Sequence, residues 1–212
     1  MVVSKGREAR TTKLVNQKIG YNSPYIIRFD KLYQLKNINH QINLARKGIK
    51  YLIEAVSKLA INNPDLKLEI VGEGDEKENL EKLVKKLKLE NFVKFLGLTI
   101  HKKLPELYRQ ADVFVLPSLN EGMSNTMLEA IASGLPIIAT DTGGTRELLK
   151  DGENGLIIKM KDSDDIAEKI KLLINDENLR ENMSQKSREI AEQMSWKKSA
   201  KQYFDFYKSI SR

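Results

Sequence analysis

Residues 113–140 read VFVLPSLNEGMSNTMLEAIASGLPIIAT, and this stretch decides the fold. Val113-Phe114-Val115-Leu116 is a short, continuous apolar run, the pattern of a strand covered on both faces. Pro117-Ser118 stops it, and a polar loop runs on to Asn125. A helix follows through Ala132, and Pro136 to Thr140 is a second buried strand. Strand, helix and strand in succession make a βαβ unit, whose crossover helix brings the second strand back parallel to the first.

The same alternation extends in both directions. Upstream, Ile49, Leu52, Ile53, Val56, Leu59 and Ala60 recur at helical spacing until Asn62-Asn63-Pro64 ends the helix. Leu66 to Val71 reads as a strand, followed by Gly72-Glu73-Gly74, and Asp75 with Glu78 predicts a capping box for the next helix. Leu80, Leu83, Val84 and Leu87 give that helix its apolar face; Val93 to Leu96 is a strand ending at Gly97, and Leu104 to Gln110 a short helix. Downstream, Gly143-Gly144 breaks the chain before a short helix over Thr145 to Lys150, and Leu156 to Ile158 is the last strand. Helices are expected at about 163–174, 177–193 and 196–210. The expected architecture is α/β: a Rossmann-like, mostly parallel sheet with helices on both faces. The chain divides into a poorly readable segment at 1–45 with a strand at Tyr25 to Phe29, a domain at 46–194, and a terminal helical piece at 195–212. Ligands of such sheets sit beyond the carboxyl ends of the strands, which here means the loops Gly72–Asp75, Ser118–Asn125 and Asp141–Thr145.

Bulk properties narrow the partners. The chain has 212 residues, 41% hydrophobic and 31% charged, enough to bury a core beneath a well-solvated surface. It holds no cysteine, so disulfides, thiolate metal sites and a cysteine nucleophile are excluded. Met1 to Lys5 lack the apolar core of a secretory signal, and no apolar run reaches membrane-spanning length. The expected compartment is the cytoplasm. The net charge of +7 is concentrated before residue 105 and suits phosphate-bearing ligands or peripheral contact with an anionic inner membrane face. The same lysines also read as solvated surface. Nucleic acid is not an expected partner, because neither an aromatic-basic pattern nor zinc-finger spacing is present.

The loop after the 113–116 strand carries the chemistry. Gly122 permits a tight turn, and Ser124 or Asn125 is placed to cap the helix that follows. Backbone N–H groups at such a helix start can hold a phosphate. Glu121 stands at the loop entrance and Glu129 about one turn into the helix, so the two can face one cleft. Carboxylates beside a phosphate pocket suit hydroxyl-rich ligands, because each accepts from neighbouring sugar hydroxyls. Taken singly, either glutamate reads more readily as a surface group or dipole partner, and it is the pair with the glycine, the cap and the buried strand that makes the case. Weaker signals read as structural: Asp162-Ser163-Asp164 as a helix cap, His40 and His101 as isolated, Met123 and Met127 as pocket wall or core.

The stretch from Glu121 to Gly144 resembles the glutamate–seven residues–glutamate signature of the group 1 family of retaining glycosyltransferases, which have the GT-B fold. The likeness continues through Ala132-Ser133-Gly134-Leu135-Pro136, Asp141-Thr142-Gly143-Gly144, Glu147, Asp151-Gly152-Glu153-Asn154-Gly155 and Ser195-Trp196, and covers about residues 47–207. The resemblance implies the donor-binding half of a hexosyltransferase for polysaccharide biosynthesis. Glu129 would then hold the nucleotide ribose, and Glu121 would contact the donor sugar as the catalytic residue. Gly122, Met123, Ser124 and Asn125 would line the sugar and phosphate pocket, Lys47 would contact the diphosphate, and Gly97 would lie near the base. It implies a nucleotide diphosphate sugar as donor substrate, UDP-linked, with no metal and no separate cofactor.

Two departures accompany the resemblance. The family's phosphate-gripping glycine–arginine pair is replaced by Gln41-Ile42, leaving Arg28 or Arg46 to take the role. Losing a charged phosphate contact costs about 1.5–3 kcal/mol. The family's acceptor site lies on another domain, so a separate N-terminal acceptor-domain chain is an expected partner. The aromatics Tyr203, Phe204, Phe206 and Tyr207 would pack across that domain or close this domain's own core. A non-catalytic nucleotide-sugar-binding subunit or a truncated remnant is the alternative reading.

Overall fold

Fifteen elements of structure follow one another in the computed structural model, which describes residues 25–29, 48–120, 122–194 and 196–210. Strand β1 (Tyr25–Phe29) is followed by α1 (Ile49–Leu59), β2 (Leu66–Val71), α2 (Lys77–Lys86) and β3 (Val93–Gly97). A single 3-10 turn (His101–Lys103) runs directly into α3 (Leu104–Gln110). Then come β4 (Val113–Leu116), α4 (Asn125–Ala132), β5 (Ile137–Thr140), α5 (Thr145–Leu148) and β6 (Gly155–Ile158). Three longer helices close the chain: α6 (Ser163–Asn175), α7 (Glu177–Gln193) and α8 (Trp196–Ile210).

The strands form one six-stranded sheet in the order β3-β2-β1-β4-β5-β6. Strands β2 and β3 pair in parallel, as do β4, β5 and β6, as the βαβ pattern requires. Strand β1 departs from it. It runs antiparallel to both neighbours, with Ile27 opposite Leu68 on one side and Val113 on the other. Antiparallel pairing needs no crossover helix, so the alternation that sets the direction of the other strands does not reach β1.

The core follows from the strand composition. Every residue of β4 and β5 is buried, which only a sheet covered on both faces can achieve. On α1, Ile49, Leu52, Ile53 and Val56 are fully buried, and this stripe packs against α6. Helix α4 packs against α7 and α3. Ser187 on α7 donates to the Leu135 carbonyl at 2.7 Å, latching that helix to the loop before β5. At the β6 edge, two side chains take backbone donors: Asp151 Oδ1 accepts from Ile157 N at 2.9 Å, and Asp165 Oδ2 from Lys159 N at 2.7 Å.

Two expectations are revised. The Asp75–Glu78 capping box does not form: α2 starts at Lys77, after Glu76, with no side-chain cap. A turn in which Lys77 N donates to the Gly74 carbonyl delays the helix, and the Glu73–Lys77 ion pair at 2.8 Å occupies its entrance. The aromatics of α8 do not close the domain's own core, since Tyr203, Phe204, Phe206 and Tyr207 are 59–68% exposed. Most of the 1–45 segment, including Gln41-Ile42, lies outside the described residues, as do Arg46 and the Arg28 side chain. Asp162 does cap α6, accepting from the N–H groups of Asp164 and Asp165, both at 3.0 Å.

Candidate functional site

The carboxyl ends of the parallel strands bring five segments to one rim. Gly48, the N-terminal residue before α1, has φ +66° and abuts the β4–α4 loop so tightly that a Cβ there would lie 2.1 Å from the Pro117 carbonyl oxygen. Thr140, at the end of β5, donates to the Ser118 carbonyl at 2.5 Å and ties the same loop from the other side. Farther along that loop, Met123 packs on Gly144 of the β5–α5 loop. Gly72 N donates to the Gly97 carbonyl at 2.9 Å, joining the ends of β2 and β3. Gly97 has φ +66°, and the Glu73 carboxylate stands over it.

Helix α4 is the centre of this rim. Ser124 is its N-cap, accepting from Met127 N at 3.4 Å and sharing a 2.9 Å hydrogen bond with the Thr126 hydroxyl. Met127, Ala130 and Ile131 are buried toward the sheet. Glu129, on the remaining face, is half-buried. Its Oε2 accepts from the Tyr108 hydroxyl at 2.9 Å, and its Oε1 stands 3.6 Å from His101 Nε2. Tyr108 is itself buried, its ring 6.4 Å from that of Phe114 and its hydroxyl also donating toward the Thr126 carbonyl at 3.3 Å.

The electrostatics follow from this packing. Burial raises the Glu129 pKa above the ordinary glutamate value, while the Tyr108 hydrogen bond and the nearby His101 pull it down again. Burial, reinforced by the Glu129 charge, pushes the Tyr108 phenol well above its usual range, so Tyr108 stays a proton donor. The result is a carboxylate whose buried side is already hydrogen-bonded and whose side chain remains 27% exposed. Such a group can accept hydrogen bonds from a ligand's hydroxyls without first losing all its water.

Of the residues singled out from sequence, Gly97, Gly122, Met123, Ser124, Asn125 and Glu129 fall on this rim. Met123 is 48% exposed on this rim, whereas Met127 is buried core. Glu121 and Lys47 lie outside the described residues; the residues beside them, Gly122 and Gly48, belong to the rim. Sequence reasoning missed Tyr108 and treated His101 as isolated. The available signal was their spacing: His101, Leu104 and Tyr108 recur at three and four residues, one helical face. A shallow groove of about 410 Å³ between Asp151, Leu156, Lys159 and Lys169 lies along the β6 edge, away from this rim. Among the described residues, no three histidine, aspartate or glutamate side chains cluster as a metal site, and no helix is long and apolar enough to cross a membrane.

The amino-acid sequence matches the model of the glycosyl transferases group 1 family over residues 40–190. The chain belongs to the group 1 glycosyltransferases. Putative glycosyltransferase EpsD of Bacillus subtilis is 36% identical over 167 residues, covering 79% of this chain and 43% of the relative. This group 1 chain spans about two-fifths of the length of the curated relatives it matches. Solved structures agree. The C-terminal domain of the group 1 protein LpcC from Francisella tularensis superposes with TM-score 0.68 at 32% identity, covering 75% of this chain and 84% of that one. Anabaena HepE, crystallised with UDP, superposes with TM-score 0.66 at 28% identity over 73% of this chain and 43% of HepE. The group 1 chain is thus one Rossmann-like half of a GT-B fold, corresponding to the C-terminal domain of its relatives.

Proposed function

We propose that this chain is the donor-binding half of a retaining hexosyltransferase, holding a UDP-linked sugar on the rim around α4. The observation that carries the reading is the Glu129 carboxylate, anchored on its buried side by Tyr108 and open on the other, one turn into a helix capped by Ser124. In this reading Glu129 accepts from the ribose hydroxyls. Gly122, Met123, Ser124 and Asn125 line the sugar and diphosphate, and Gly97, beneath Glu73, lies near the base. Glu121 contacts the donor sugar and Lys47 the diphosphate. The HepE complexes with UDP and UDP-glucose support the choice of nucleotide.

Transfer breaks the bond between the anomeric carbon and the diphosphate oxygen, which leaves with the electron pair. Its growing charge is met by main-chain amides at the start of α4 and by Lys47, so the proposed chemistry takes the nucleotide sugar as substrate and calls on no metal. The acceptor, a carbohydrate or lipid-linked hydroxyl, gives up its proton as the new bond forms. The acceptor site is supplied by a further domain, in the same polypeptide or in a separate chain. The exposed aromatic face of α8 supports a covering partner of that kind. Polysaccharide assembly in the cytoplasm, at the inner membrane face, is the proposed setting.

Calorimetric titration with UDP tests the reading. Saturable binding below millimolar is expected, and Glu129→Ala should weaken it about tenfold or more, the effect of losing hydrogen bonds to a charged group. Absence of saturable binding, or equal affinity for the variant, would overturn it.

A further inference from the structure

Helix α3 has no assigned part in donor binding, yet one of its side chains reaches the carboxylate at the centre of the rim. Tyr108 is 1% exposed, and a buried phenol needs a partner for its proton. It has two acceptors on α4, Glu129 Oε2 at 2.9 Å and the Thr126 carbonyl at 3.3 Å. The ring packs against Phe114 of β4, a fully buried strand, so the hydroxyl is held by the core rather than by a mobile loop. His101, one element earlier, stands 3.6 Å from the other oxygen. Several charged groups on elements packed around α4 are engaged elsewhere: Glu106 and Arg109 of α3 pair with each other, and Lys186 of α7 pairs with Glu153 and Glu189. Arg188 of α7 donates to the Ala132 carbonyl, Arg146 of α5 pairs with Asp141, and Glu147 of α5 is exposed to solvent.

We propose that Tyr108 is a positioning residue for the nucleotide site: its buried hydroxyl fixes the Glu129 carboxylate in one orientation, with the exposed lone pairs directed at the ligand's vicinal hydroxyls. The inference rests on the reading of Glu129 as the ribose acceptor and adds the group that aims it. A glutamate has three side-chain torsions, and one held at Oε2 before binding gives up less freedom when the ligand arrives. The donated hydrogen bond also favours the ionised form, which is the form that accepts two hydroxyls. Tyr108 therefore acts through Glu129 and touches no ligand.

The test is Tyr108→Phe in the full chain, a change that keeps the ring and removes only the hydroxyl. Two measurements are made. In the first, UDP is titrated between pH 5 and pH 8 into wild type, Tyr108→Phe, Glu129→Ala and the double variant. Tyr108→Phe should weaken UDP binding about tenfold, with the acid-side loss of affinity moved to higher pH. In the Glu129→Ala background it should cost nothing further. An equal loss in both backgrounds, or an unchanged affinity and pH profile, overturns the proposal. In the second, the Glu129 side-chain carboxyl is titrated by carbon NMR without ligand. Its midpoint should rise in Tyr108→Phe, and an unmoved midpoint overturns the proposal even if no nucleotide binds. Failure of wild type to bind UDP, with the NMR midpoint shifted, sinks the assigned ligand and leaves the positioning contact standing.

Discussion

At the scale of single residues, the rim depends on places where no side chain fits. Gly48 combines φ +66° with a virtual Cβ 2.1 Å from the Pro117 carbonyl oxygen. Gly48→Ala should therefore destabilise the fold by about 2 kcal/mol or more, read as a lower denaturant midpoint, because strained backbone and a hard clash add. It should also weaken UDP binding in the protein that remains folded, since the displaced backbone is that of the β4–α4 loop. Gly122, by contrast, has nothing within 4 Å of its virtual Cβ, so alanine there meets no clash. This difference between two glycines could not be read from sequence, where both stand at loop–helix junctions. Glu129 was legible because its spacing from Glu121, the preceding buried strand and the cap all point to one motif. Tyr108 was not legible as a site residue. A tyrosine on the apolar face of a short helix reads as core, and it is core; only the partner of its hydroxyl gives it a second role.

At the scale of elements, apolar periodicity located helices such as α1, which buries Ile49, Leu52, Ile53, Val56 and Leu59 along one stripe, and the continuous apolar runs located β4 and β5. The failures have specific causes. The start of α2 was misplaced because a turn closed by the Gly74 carbonyl competes with the Asp75 cap. The direction of β1 is set by pairing with β2 and β4, a tertiary fact that no local pattern encodes. The α6 cap was read correctly, and it gives a pH-dependent prediction. The Asp165 N–H, followed by that of Asp164, holds the Asp162 carboxyl below its ordinary value. A group lowered on folding stabilises fully above its unfolded pKa, near 3.9 for aspartate, and loses that contribution as pH falls through the lower folded value. Asp162→Ala should thus lower the thermal midpoint at pH 7, and the gap from wild type should narrow below about pH 4. A gap that stays constant down to pH 2 would count against the cap as its source.

At the scale of the whole molecule, the body ends in a helix whose aromatics face outward. Their exposure means that the domain's stability does not draw on them. The double substitution Phe206→Ser with Tyr207→Ser should leave the unfolding midpoint of this chain within about 1 kcal/mol of wild type in stability. The same change should abolish association with an added acceptor domain, if one is supplied and binds there; differential scanning calorimetry and a pull-down with that domain check the two halves. The sheet's outer margin has a different character. At β6 the amides of Ile157 and Lys159 are already claimed by Asp151 and Asp165. A foreign strand arriving on that flank would find these donors taken by the two aspartates, with the charged side chains of Lys159 and Lys169 beside them. The protein's neighbours, whether copies of itself or aggregating segments of unfolded chains, are thereby turned away from the border where a lengthening ribbon would otherwise begin.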